Sequence, residues 1–129
     1  MNSAAIANAP TMASFVHPVI TSTAMVMETT LGFKPEFDEI TTRDSHTPSF
    51  PISSIFELTG DATGIMGVSL SRNAAIEAMQ RMLGIETTEI DELVQDAVGE
   101  LGNMIVGMAK SKFTGFDIEI GVPRIGRPS

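Results

Sequence analysis

The chain has 129 residues, of which 43% are apolar and 19% charged, with a formal net charge of −8 and no cysteine. That length and composition fit one domain with a substantial core. They exclude a disulfide scaffold, a thiolate metal site and a cysteine nucleophile. The acidic balance argues against a nucleic-acid partner, because nothing concentrates enough Lys or Arg to neutralise phosphates. Tyr and Trp are absent as well, so stacking on bases is poorly served. An acidic surface suits a protein partner with a basic patch. No apolar run is long enough to span a bilayer, and the opening MNSAAIANAP lacks the basic flank of a signal peptide. The expectation is a soluble, cytoplasmic protein with no membrane segment.

Residues 1–10 are small and weakly patterned and read as a flexible arm, leaving 11–129 as a single domain. Between Thr11 and Leu31 the residues Phe15, Val19, Ile20, Val26, Met27 and Leu31 recur at near-helical spacing. This predicts a long helix ended by Gly32, with Pro18 kinking it or sitting near its start. Phe37–Asp44 is a candidate strand, followed by a loop through His46 and Pro48. Ile52–Thr59 and Thr63–Leu70, joined by Gly60-Asp61-Ala62, predict an antiparallel hairpin. Ser71 is placed to cap a short helix with the stripe Ala75, Ile76, Met79, Met82 and Leu83, stopped by Gly84. Thr88 followed by Asp91 fits a capping pattern for the longest helix, roughly Glu89 to Phe113. Gly115 stops it, and Phe116–Val122 alternates like a strand. The fold class is α+β: an antiparallel sheet packed against two long helices and one short one.

The long helix is the informative element. Wound at about 100° per residue, Leu93, Val94, Ala97, Val98, Leu101, Met104, Ile105, Met108 and Ala109 fall on an arc of roughly 160°. Asp96, Glu100, Asn103 and Gly107 share an arc of roughly 60° on the other side. Their spacing of 4, 3 and 4 makes one ridge, with Glu100 and Asn103 side by side. Gly99, Gly102 and Gly107 lie beside or along it, each with a helical penalty of about 1 kcal/mol relative to Ala. Close approach of a partner would explain them; helix–sheet packing is the alternative. Acid and amide residues on an outer helix face are usually only solvated, so periodicity alone names no reaction.

The stretch Asp96-Ala97-Val98-Gly99-Glu100-Leu101-Gly102-Asn103 resembles the D-x-x-x-E-x-x-N signature of the CheC/CheX/FliY chemotaxis phosphatases, and GELGNMIVGMAKSKF looks most like CheX. The likeness covers roughly residues 11–125, including the early helix, the hairpin with Gly64 and Gly67, and the strand reaching Pro123. Only one copy of the signature is present. That departs from CheC and FliY and fits the CheX type, in which chains pair, so a homodimer is expected. Similar family members continue through further strands after Pro123. A short form, a truncated chain, and a sheet edge completed by another subunit all stay open.

The resemblance implies a protein aspartyl-phosphate phosphatase acting on a phosphorylated CheY-like response regulator. It assigns Asn103 to positioning the attacking water and Glu100 to anchoring the partner's active-site lysine. Asp96, Gly99 and Gly107 would contact the partner. No metal or cofactor is expected in this chain; Mg²⁺ would belong to the receiver domain. The rival reading is a non-catalytic module that binds a receiver domain or signalling complex. His17, next to Pro18, reads as a helix-start residue, and no acid pattern joins it to His46 as a metal pair. Neither a nucleophile elbow nor a P-loop is present. Arg124 and Arg127 read as solubilising.

Overall fold

The computed structural model describes residues 10–41 and 50–126. Helix α1 runs Met12–Val26 and continues as a π-helical turn, Met27–Leu31. Strands β1 (Ile52–Gly60) and β2 (Gly64–Leu70) form the expected hairpin. Helix α2 (Arg72–Leu83) and helix α3 (Glu92–Ser111) follow, and then the short strands β3 (Ile118–Ile120) and β4 (Arg124–Gly126). Among the described residues the result is an antiparallel four-stranded sheet with three helices, the α+β class expected from the sequence.

Local chemistry accounts for the helix ends. The Thr11 and Ser14 side chains form a capping box at the start of α1, and Gly32 ends it at φ 79° with its N–H donated to the Glu28 carbonyl. Pro18 sits inside α1, and His17 lies within the helix rather than at its start. The Ser71 hydroxyl accepts the Ala74 N–H at 3.2 Å, and Gly84 at φ 69° ends α2. Arg81 of α2 donates to the Leu31 carbonyl at 2.7 Å, tying the ends of α1 and α2 together.

Strand β1 is the centre of the sheet. Its register with β2 runs from Ile52 opposite Leu70 to Leu58 opposite Gly64. On its other side β3 and β4 pair in succession, Leu58 with Ile120 and Ile55 with Arg124. Three steps along β1 therefore face four along the partner. β3 and β4 act as one strand interrupted by a one-residue bulge at Gly121–Pro123. Ile52, Ser54, Phe56 and Leu58 alternate along β1 and are all buried. With Leu101, Ile105, Val94, Val98, Val26 and Met79 they form the core.

Several expectations need correction. Residues 37–41 of the candidate strand Phe37–Asp44 carry no regular structure, and the rest of it, with His46, lies outside the described residues. The 1–9 portion of the predicted arm and Arg127 lie outside them too. The strand over Phe116–Val122 shrinks to Ile118–Ile120, because the bulge interrupts its pairing. Arg124, read as solubilising, is exposed on β4, its guanidinium 3.7 Å from the Glu57 carboxylate. Leu83, assigned to the buried stripe of α2, is 52% exposed, and Ala78 is buried in its place.

Candidate functional site

Helix α3 begins later than expected. Its N-cap is Asp91, whose Oδ1 accepts the Val94 N–H at 3.0 Å; Thr88 lies outside the helix. Glu92 in the first turn and Lys110 in the last complement the helix dipole. At the far end Phe113 packs with Phe15 of α1 and with Phe116, ring centroids 5.0 and 5.1 Å apart, which anchors the helix against α1.

α3 is covered from two sides, by the sheet and by α1 and α2. Its buried set is Val94, Ala97, Val98, Gly99, Leu101, Gly102, Ile105, Val106 and Ala109. This arc spans about 200° at helical pitch, wider than an amphipathic winding suggests. Val106 belongs to it, whereas Leu93, assigned to the buried face, is 45% exposed. What remains open is a narrow strip, and Asp96, Glu100, Asn103 and Gly107 all lie exposed on it. The ridge drawn from the sequence is therefore present.

Beside the ridge lies a shallow depression of about 280 Å³ lined by Gln95, Asp96, Gly99, Glu100, Asn103, Pro123 and Ile125. One wall is the polar face of α3. The other is apolar and comes from β4 and the bulge before it. Among the described residues, the Glu100 carboxylate and the Asn103 amide engage no hydrogen bond or ion pair. Glu100 can only accept hydrogen bonds when ionised, whereas the Asn103 amide can donate and accept at once. Neither group is enclosed, and both face solvent.

The three glycines separate. Gly107 is exposed, and a Cβ there would meet nothing within 4 Å. Gly99 is buried in the floor of the depression, where a Cβ would lie 3.5 Å from Ile125 Cδ1. Gly102 does not border an open surface. A Cβ there would overlap the Ser54 hydroxyl and come within 2.9 Å of Ser54 Cβ and 3.1 Å of Phe56 Cε2. For Gly102, helix–sheet packing is the correct account. Sequence reasoning missed Pro123 and Ile125 as site residues because only the long-range pairing of β4 with β1 brings them there. Gln95 had a signal: it lies four residues before Gly99 on α3.

An apolar groove of about 190 Å³ follows α1, lined by Val19, Ile20, Thr23, Ala24, Pro35, Glu36 and Phe37. Among the described residues, no cluster of three His, Cys, Asp or Glu is placed to hold a metal ion. No described helix is long and apolar enough to cross a membrane.

The fold and ridge define a class: an α+β domain whose longest helix presents an acid and an amide, three residues apart, at an open surface. The family model of the chemotaxis phosphatase CheX matches residues 52–128. The chain belongs to the CheX family of chemotaxis phosphatases. It is 28% identical over 116 residues to the CheY-P phosphatase CheX of Thermotoga maritima, covering 88% of this chain and 75% of that protein. The crystal structure of the chemotaxis protein CheX from Vibrio vulnificus is similar at TM-score 0.76 and 29% identity, over 88% of this chain and 74% of that one. The CheX–CheY–BeF3–Mg complex from Borrelia burgdorferi contains a matching fold at TM-score 0.64 and 19% identity, over 86% and 75% of the two chains.

Proposed function

We propose that this protein accelerates hydrolysis of the phospho-aspartate of a CheY-like response regulator, and that Glu100 and Asn103 carry the activity. The observation that carries this reading is the exposure of both side chains, unengaged among the described residues, on one ridge of α3 in a chain of this family. The Thermotoga relative is a CheY-P phosphatase, and the Borrelia CheX forms a complex with CheY.

The chemistry asks little of the catalyst. An acyl phosphate is already activated, so placing a water in line with the leaving carboxylate is the main requirement. Asn103 can hold that water through both halves of its amide while it attacks the phosphorus. The P–O bond to the aspartate then breaks, freeing inorganic phosphate and the carboxylate. Glu100, one helical step away, pairs with a lysine of the receiver and fixes the approach through a charge-assisted contact. Asp96 extends the acidic end of the ridge, and Gly99 and Gly107 keep its floor and its far end low. The Mg²⁺ that balances phosphoryl charge sits in the receiver. A homodimer formed through a sheet edge is part of the same reading.

The test is to follow decay of a phosphorylated receiver with and without the protein. Acceleration in proportion to added protein is expected. Stable binding with unchanged decay, across several receivers, would instead identify a non-catalytic module.

A further inference from the structure

We infer that Gly102 and Ser54 form a seat that sets the separation between the catalytic ridge and the apolar rim facing it, making both of them positioning residues for the site. This inference rests on the assignment of Glu100 and Asn103 as the working groups. Gly102 lies between them in the sequence yet points the opposite way, into the sheet. Only the missing side chain allows the α3 backbone to rest on β1: a Cβ would come within 2.9 Å of Ser54 Cβ and 3.1 Å of Phe56 Cε2. Contacts this tight force one element to move.

Ser54 is fully buried and has a second role. It is the register partner of Ile125 on β4. Ile125, with Pro123, forms the wall opposite Glu100 and Asn103. The same serine thus supports the ridge from below through Gly102 and holds the rim through its strand pairing. On the ridge side, Gly99 faces the same rim residue: a Cβ there would stand 3.5 Å from Ile125 Cδ1, an ordinary van der Waals contact. Raising α3 off Ser54 would widen the depression while leaving both exposed side chains chemically intact. Water positioning tolerates little displacement, so a shift of about 1 Å lowers turnover on the order of tenfold to a hundredfold.

The experiment compares wild type, Gly102→Ala, the pair Ser54→Gly/Gly102→Ala, Ala78→Gly as a destabilised control away from the seat, and Asn103→Ala. Each is read by kcat and KM for a phosphorylated receiver, and by the NMR resonances of the Ile125 methyl and the Asn103 side-chain amide. Gly102→Ala is expected to displace both resonances and lower kcat at least tenfold while still folded. Adding Ser54→Gly removes the two Ser54 atoms and leaves the Phe56 ring edge at 3.1 Å to give by a few tenths of an ångström, and is expected to restore both readouts. Ala78→Gly should lower thermal stability with kcat unchanged. If Gly102→Ala does not fold, the double variant decides: native resonances and turnover uphold the seat, and failure to recover overturns it. A folded Gly102→Ala with wild-type resonances and kcat also overturns it. An Asn103→Ala variant as fast as wild type would sink the catalytic assignment instead, and the resonances would still judge the seat.

Discussion

Replacing Gly107 with alanine separates stability from function. Gly107 is exposed in the last third of α3, and a Cβ there would meet nothing within 4 Å. The methyl therefore brings the helical preference of Ala over Gly with no packing penalty, about 0.5–1 kcal/mol. For a chain of this size the unfolding entropy is about 2.1 cal/mol/K per residue, so Tm should rise by roughly 2–4 °C. Gly107 also lies one turn beyond Asn103, about 6 Å along the axis. If the receiver rests on this part of the ridge, the same methyl overpacks the interface by about 1–3 kcal/mol. That corresponds to roughly a 5- to 150-fold loss of affinity. A thermal melt and a titration of KM against phosphorylated receiver read the two effects separately. A Tm that falls would refute the open-surface geometry. A Tm that rises with KM unchanged would remove Gly107 from the docking surface.

Asp91→Ala should destabilise the fold by about 1 kcal/mol through loss of the α3 cap, whereas Thr88→Ala should change stability by less than about 0.5 kcal/mol; chemical denaturation of the two distinguishes which residue starts the helix. Glu100→Ala should raise KM by roughly 10- to 150-fold, the value of a charge-assisted contact, with Tm unchanged because the side chain is exposed. Glu100→Gln should fall between the two. Asp96→Ala should raise KM by no more than about fivefold, as expected of an exposed charge pair; a loss equal to that of Glu100→Ala would make Asp96 a second anchor.

The parts of the fold fixed by local chemistry were legible in the sequence. Gly32, Ser71 and Gly84 marked helix ends because capping and left-handed φ are properties of single residues. The hairpin was legible because its partners are neighbours in the chain. The bulged strand was not, since β4 pairs with a strand some 70 residues earlier. The Glu100–Asn103 ridge survived winding because it is defined by what is left uncovered. Gly102 was misplaced because winding assumes a helix with one buried side, and α3 has two. A glycine lying against a serine then looks, in sequence, like a glycine lying against solvent.

On the proposed mechanism, Asn103 positions the hydrolytic water. The most direct measurement is single-turnover decay of a phosphorylated receiver saturated with wild type or with Asn103→Ala. Binding of each is measured separately on a receiver loaded with beryllofluoride. Losing a positioned water should reduce the accelerated rate on the order of a hundredfold, while affinity stays within about threefold. Decay at the wild-type rate in the saturated Asn103→Ala complex would show that Asn103 does not position the water.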